Sequence, residues 1–218
     1  MVIEATPSHP ATMAAQLSST PLTLDSPLPD PIITTPRLII RPMHPQDAPS
    51  MQKYAAPASI TTYMSLAFAH PYTLDHANNW INTNLAAQIQ NNFCICETSV
   101  PDISIGGIGI KPGSDVQAHT AEVGYWIGEP FWGKGYITEA LRAMTDWVFT
   151  ARGEQYRRLS AKVFSGNTAS MRCLVKCGYR EEGVLRGDAE KHGKVYDSHV
   201  FGLTKGDWEE LKRSEEVE

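Results

Sequence analysis

The chain has 218 residues, of which 42% are hydrophobic and 20% charged, with a formal net charge of −5. That length suits a single domain with one sizeable core. The composition excludes a wholly disordered chain, and the acidic balance excludes a general nucleic-acid binder, which needs a basic face. Four cysteines are too sparse for a disulfide scaffold. No apolar run approaches the length of a membrane span, and no secretory apolar segment opens the chain, so a reducing, cytoplasmic setting is expected.

Residues 1–31 read as a disordered or loosely packed tail, because Pro7, Pro10, Pro21, Pro27, Pro29 and Pro31 lie among Ser, Thr and Ala with no regular period. No Lys or Arg precedes Arg37, which argues against a transit peptide. The folded domain is expected over residues 32–213, with an acidic tail at 214–218. Residues 35–42, Thr-Pro-Arg-Leu-Ile-Ile-Arg-Pro, suggest a first strand. A short helix follows Asp47, limited by Pro49 and Pro57. A second helix, capped by Thr73 or Asp75, carries Trp80, Ile81, Leu85 and Ile89 at helical spacing. Between the two, residues 59–72 are irregular and rich in aromatic and small side chains, as a substrate entrance would be.

Strands are expected at 93–97 and 103–110, joined by a turn at Pro101-Asp102, and at 119–127 after a turn at Pro112-Gly113. In the long amphipathic run 137–151, Ile137, Leu141, Met144 and Val148 share one face, with Arg142, Thr145 and Arg152 largely off it. A strand at 158–164 precedes a helix at 168–176 closed by Gly178. Strands at 179–185 and 195–203 pair across a polar loop at 186–194, and an amphipathic turn at 207–212 ends the chain. This order mixes an antiparallel meander with one crossover, so the class is α+β, or mixed α/β.

The informative stretch is Trp132-Gly133-Lys134-Gly135-Tyr136, set between an apolar strand and a helix. Such a glycine break presents free backbone N–H groups and a helix dipole to a phosphate. Gly128 to Lys134 spells the first seven positions of a P-loop. The eighth, which must be Ser or Thr to hold Mg²⁺, is Gly135, so nucleotide hydrolysis is not expected. The three-glycine dinucleotide fingerprint is absent as well.

Residues 122–127 (Glu-Val-Gly-Tyr-Trp-Ile), 131–141 (Phe-Trp-Gly-Lys-Gly-Tyr-Ile-Thr-Glu-Ala-Leu), Asn167-Thr168-Ala169-Ser170 and Lys176-Cys177-Gly178-Tyr179 strongly resemble the GNAT superfamily of N-acetyltransferases. The start, Thr35-Pro36-Arg37-Leu38 with Arg41 and Asp47, resembles its RimJ/RimL-like branch, which acetylates ribosomal-protein N-termini. The resemblance covers residues 33–210. It implies a central, mostly antiparallel sheet flanked by helices and splayed between the fourth and fifth strands. One departure is Pro130, where the general pattern has Gln or Arg.

By this resemblance the ligand is acetyl-CoA, and the partner is an amine acceptor, either a protein N-terminus or a small amine. The enzyme would be a monomer or homodimer with no nucleic-acid or membrane partner. Cofactor contacts fall on Tyr125, Trp126, Ile127, Trp132, Gly133, Lys134, Gly135, Tyr136, Ile137, Thr138, Asn167 and Ser170. A backbone N–H between Tyr125 and Ile127 would stabilise the oxyanion. Many relatives carry a Tyr seven residues after the motif Asn, where this chain has Leu174, so Ser170 becomes the candidate acid. Glu122 and then Glu190 are the candidate bases, although an α-amine with a pKa of about 8 can also attack unaided. Asn167 and Ser170 are equally good helix caps. A non-catalytic acyl-CoA-binding module is the alternative. Cys94-x-Cys96 and Cys173-x-x-x-Cys177 lack the Cys-x-x-Cys knuckle spacing, and no metal is expected.

Overall fold

The computed structural model describes residues 22–216. Of the expected tail, residues 1–21 lie outside these, and residues 22–31 run without helix or strand. Strands β1 (Ile33–Thr34) and β2 (Leu38–Arg41) lead to helices α1 (Ala48–Ala55), α2 (Ala58–Thr61) and α3 (Leu74–Leu85). Then come β3 (Asn92–Glu97), β4 (Val100–Pro112), β5 (Thr120–Ile127), α4 (Tyr136–Ala151) and β6 (Arg158–Phe164). Helix α5 (Thr168–Lys176), strands β7 (Arg180–Lys191) and β8 (Lys194–Thr204), and α6 (Lys205–Glu215) complete the fold.

All eight strands form one sheet in the order β1-β2-β3-β4-β5-β6-β8-β7. Every neighbouring pair is antiparallel except β5 and β6, the two strands joined by the α4 crossover. Those two meet only at Thr120↔Arg158, Ala121↔Leu159 and Glu122↔Ser160. Beyond Glu122, β5 stays with β4 as far as Gly106↔Ile127, while β6 stays with β8 as far as Phe164↔Ser198. The sheet therefore opens between them. This is the expected splay between fourth and fifth strands, counted without the two-residue β1.

Helix α4 covers one face of the sheet, burying Leu141, Met144, Val148 and Phe149 with Leu38, Ile40 and Phe93. Helices α1 and α3 cover the other, with Met51, Ala55, Ala77 and Ile81 packed around Cys94 and Cys96. Thr145, expected off the apolar face of α4, is buried. Its hydroxyl meets that of Tyr179 at 2.9 Å, so the helix buries a wider stripe than its apolar residues mark. Helix α5 ends in a Schellman motif. Gly178 has φ +87°, its N–H donates to the Val175 carbonyl, and that of Tyr179 donates to Leu174.

Two turns fall elsewhere than expected. The β3–β4 reversal lies at Thr98-Ser99, and Pro101-Asp102 belongs to β4. Proline is tolerated there because β4 is only beginning to pair and the register shifts nearby. The polar loop expected at 186–194 is mostly strand. The turn shrinks to His192-Gly193, with φ values of 51° and 75°. Two central residues in the left-handed region match the twist of a tight hairpin. A bulge between Leu185 and Ala189 includes Gly187 (φ +62°), whose N–H donates to Asp197 Oδ1 at 2.8 Å. The expected terminal turn is a longer helix, α6, started by a Thr204/Asp207 capping box and running to Glu215. Residues 217–218 of the expected acidic tail lie outside the described residues.

One buried ion pair fixes the α1 corner. Arg41 Nη2 donates to Asp47 Oδ1 at 2.6 Å and Nη1 to Oδ2 at 2.9 Å, with both side chains essentially inaccessible. The remaining valences are filled by the Pro101 and Pro42 carbonyls and by the His44 N–H. Burial pulls the guanidinium pKa down, but the hydrogen bond to Asp47 and the surrounding Asp47, Cys94 and Cys96 together outweigh it, and the group stays charged. Asp47→Ala should destabilise the protein by about 3–5 kcal/mol, because it leaves a buried cation unpaired. Replacing both residues by apolar ones should recover most of that loss, and urea denaturation measures both effects.

Candidate functional site

The opening between β5 and β6 decides which backbone groups are free. In the antiparallel β4–β5 ladder, bonded pairs alternate with non-bonded ones. The bonds Gly128 N–H to Ile105 and Gly113 N–H to Thr120 fix the phase, so Glu122, Gly124 and Trp126 are committed to β4. The carbonyl of Val123 and the backbone groups of Tyr125 and Ile127 therefore aim at the opening, past the last β6 pair at Glu122↔Ser160. The Ile127 carbonyl is taken by the indole N–H of Trp132 at 2.8 Å. The strand thus offers N–H groups of Tyr125 and Ile127, but not of Trp126, as donors in the gap.

At the end of β5 a 3₁₀ turn (Glu129–Phe131) leads into the glycine loop. Gly133 and Gly135 have φ of +73° and +77°, and a Cβ on Gly133 would meet no atom within 4 Å. These glycines serve conformation rather than space. Gly135 is the N-cap of α4 and supplies no side-chain cap, so Tyr136, Ile137 and Thr138 keep the orphan N–H groups of a helix start. Ile137 packs into the core. Lys134 Nζ lies 5.2 Å from the Phe131 ring centre and 5.9 Å from that of Tyr136. Tyr136 donates to Glu97 Oε1 at 2.6 Å. The Thr138 hydroxyl, expected at a phosphate, donates instead to Cys173 Sγ at 3.5 Å.

The loop is braced from the β1–β2 turn, by residues not assigned a site role from sequence. Arg37 Nη1 donates to the Lys134 carbonyl at 2.9 Å, and its Nε donates to Glu139 Oε2 at 2.7 Å. Glu139 Oε1 accepts from Thr35 Oγ1 at 2.6 Å and from the Arg37 N–H at 3.1 Å. Burial tends to raise the Glu139 carboxyl pKa, but these hydrogen bonds and the Arg37 charge outweigh it and hold the carboxyl below its ordinary value. A residue separation of about a hundred hides this contact from any local pattern.

On the α5 side, Asn167 caps the helix, its Oδ1 accepting from the Ser170 N–H at 3.3 Å. The Ser170 hydroxyl lies 2.8 Å from the Tyr125 hydroxyl. Burial raises the Tyr125 pKa, against the opposing pull of the Ser170 hydrogen bond, so the phenol keeps its proton. Leu174, at the position where many relatives carry Tyr, is fully buried. A phenol nonetheless reaches Ser170, carried on β5 instead of α5.

The opposite face holds a cavity of about 520 Å³ between α1, α3, the segment 64–72 and the sheet. Residues paired directly across β4 and β5 share a face. Gly107, Gly109 and Lys111 therefore lie with Trp126, Gly124 and Glu122 on the cavity side. Phe68 packs on Tyr72 at 5.1 Å and edge-on to Trp126 at 5.8 Å, forming an aromatic wall. Glu122 lines this cavity, whereas Glu190, exposed on β7, does not. Its neighbour Lys191 reaches the carbonyls of Thr61 and Met64 and ties the hairpin tip to the cavity rim. Among the described residues no three His, Cys, Asp or Glu side chains gather as a metal site requires. No helix there is long and apolar enough to cross a membrane.

Comparison with known proteins fits this geometry. The acetyltransferase (GNAT) domain family matches residues 37–180. The uncharacterized N-acetyltransferase p20 of Bacillus licheniformis is 31% identical over 178 residues, covering 80% of this chain and 96% of its own. A GNAT-family acetyltransferase from Bacillus anthracis superposes with a TM-score of 0.70 at 24% identity, over 80% of this chain and 98% of its own. The ribosomal-protein-S5-alanine acetyltransferase from Vibrio fischeri gives 0.68 at 20% identity, over 81% and 97%, a likeness of fold.

The brace has a pH signature. A carboxyl held below its ordinary 4.5 stabilises the folded state above that value and loses the contribution as pH falls through its lowered pKa. Glu139→Gln should therefore lower stability by about 1 kcal/mol at neutral pH. The gap to the native chain should close in acid, as read by denaturant titration at both pH values.

Proposed function

The chain belongs to the GNAT acetyltransferase family, and from that premise we propose that it transfers the acetyl group of acetyl-CoA to a primary amine seated in the cavity beside β5. The observation that carries this reading is the opening between β5 and β6, which joins the uncapped start of α4 on one side to a substrate-sized cavity on the other. The N–H groups of the loop from Gly133 to Thr138, with the α4 dipole, suit a pyrophosphate. The free edge of β5 at Val123, Tyr125 and Ile127 suits an amide-bearing arm laid beside it as an extra strand. Acetyl-CoA, once bound, supplies the acetyl group as a thioester.

The chain's own groups divide the proton work by face. Glu122, on the cavity side, accepts the proton that an ammonium must lose before its nitrogen can attack. The N–H groups of Tyr125 and Ile127 face the gap and serve as donors to the developing oxyanion. Ser170, on the α5 side, gives its hydroxyl proton to the departing sulfur, and the proton that the nitrogen sheds as the C–N bond forms returns to Ser170 through the Tyr125 hydroxyl at 2.8 Å, which ends protonated. The C–N bond forms, the C–S bond breaks, and direct attack in a ternary complex leaves no covalent intermediate on the protein. Glu190 has no part in this scheme, since its strand position turns it away from the cavity. A reducing, cytoplasmic setting belongs to the same reading.

The ribosomal-protein branch resemblance rests on Thr35, Arg37 and their neighbours, which brace the glycine loop through Glu139. They act on the cofactor side and carry no information about the acceptor. The non-catalytic alternative rests on Leu174 in place of Tyr and on an acid displaced to Glu190; a phenol reaching Ser170 from β5 and Glu122 lining the cavity speak against it.

Ser170→Ala should lower kcat by about 100-fold while leaving acetyl-CoA affinity within a few-fold of native. Glu122→Gln should lower kcat/KM by about as much at neutral pH, with the deficit shrinking as pH rises towards the amine pKa. A thiol-detecting CoA-release assay and calorimetry with acetyl-CoA check both. Absence of acetyl-CoA binding and of CoA release with every amine would overturn the proposal.

A further inference from the structure

The cavity walls say more about the acceptor than the cofactor loop does. On the cavity face, β4 and β5 present three glycines: Gly107 and Gly109, already crowded by Trp126 and by the Asn91 and Asn92 oxygens, and Gly124, where a side chain would fill open space. A Cβ at Gly124 would meet nothing within 4 Å, so open volume begins directly above its Cα. At Gly107 a Cβ would lie 2.7 Å from Trp126 Nε1 and 3.3 Å from its Cδ1, so the indole packs down over that glycine. Around Gly107 and Gly124 the floor is therefore hydrocarbon and a flat ring, while the Asn91 carbonyl and Asn92 Oδ1 crowd Gly109. The ladder bonds of β4 and β5 already engage the floor's backbone polar groups.

Phe68 and Tyr72 stack with an interplanar angle of 28°, and Met43, Met51 and Met64 supply adaptable thioether surface. Burial pushes the Tyr72 phenol up to about 12, aided by the nearby Cys94, so this wall stays neutral at working pH. Charge is confined to one end, where Lys111 and Glu122 are cross-strand neighbours. Among the described lining residues, Glu122 is the single acid and Lys111 the single permanent base.

This distribution selects a chemistry. A polyamine asks for several carboxylates along its length, and a phosphorylated amine asks for a cluster of basic groups. A peptide N-terminus asks for free backbone partners along an extended groove. The cavity offers one carboxylate, one lysine, the polar side chains of His76, Asn79, Thr83 and Asn92, and a floor whose backbone is already paired, but neither a row of carboxylates nor a basic cluster. Resting on the function proposed above, we infer that the acceptor is a small primary amine carried on a flat apolar body, of the arylalkylamine class. Its ring lies over Gly124 against Trp126 and the Phe68–Tyr72 wall, and its ammonium lies beside Glu122, where neighbouring aromatic faces add cation–π attraction. The cavity volume of about 520 Å³ fits one such molecule.

The test uses phenethylamine, spermidine and an N-terminal alanyl peptide, measured in CoA release and, separately, by quenching of tryptophan fluorescence with CoA present. Phenethylamine should bind and react with kcat/KM about 100-fold above the other two. Gly124→Leu should weaken phenethylamine binding at least about 10-fold by occupying the space of the ring. Its thermal melt and calorimetric acetyl-CoA affinity should stay near native. Phe68→Ala, which removes a wall without adding bulk, should weaken it in the same direction. If phenethylamine binds and the variants weaken it but no acetyl transfer occurs, the acceptor inference stands and the proposed activity falls. If spermidine or the peptide is acetylated while phenethylamine neither binds nor reacts, the inference falls and the activity stands. Binding of phenethylamine unaltered in both variants would also overturn the inference, and no binding or turnover with any probe would overturn both.

Discussion

Three residue pairs hold β5 to β6, and the rest of the site depends on their being only three. Each strand is bonded along its whole length to its outer neighbour, β5 to β4 and β6 to β8. Each half of the sheet therefore follows its own twist, and parallel pairing yields once the chains diverge. The opening has three consequences. It frees the backbone of alternate β5 residues, it lets Tyr125 reach Ser170 on α5, and it connects two faces of a sheet that would otherwise separate them.

Those two faces are held by different means. The α4 face is fastened by apolar packing and by the Arg37–Glu139 brace, which ties the glycine loop to the β1–β2 turn. The cavity face is fastened by the buried Arg41–Asp47 pair, which anchors the corner from which α1 departs. Its rim is closed by Lys191 on the Thr61 and Met64 carbonyls. A deep ion pair is a poor source of net stability compared with apolar packing, but it tolerates only one arrangement of its partners. Here that arrangement sets the distance between α1 and the sheet, and with it the width of the cavity.

Local patterns announced much of this. Helices α1, α4 and α5 fall where spacing and caps place them, and Gly178 closes α5 by the backbone motif its position suggests, whereas α3 starts at its Thr73 cap but ends at Leu85, leaving Ile89 outside it and exposed. The strand–glycine–helix junction was legible because φ values of +73° and +77° require glycine. Other elements were less so. The β7–β8 hairpin is exposed on most of its length, so its strands carry no apolar alternation and residues 186–191 read as loop. Thr145 reads as a surface residue because its burial depends on Tyr179, which lies beyond the next helix.

The family, the positive-φ backbone of the glycine loop and the place of Ser170 at a helix start were legible in the chain alone, since each rests on residues close together in it. The tertiary structure decided which groups meet. The Tyr125 phenol meets Ser170 while Leu174 is buried, Glu122 faces the cavity while Glu190 does not, and the Thr138 hydroxyl meets Cys173. Only the fold revealed that Gly107, Gly109 and Gly124 share one face with Trp126. Strand register sets that juxtaposition, and register is a property of pairs of distant segments, which no single stretch of sequence contains.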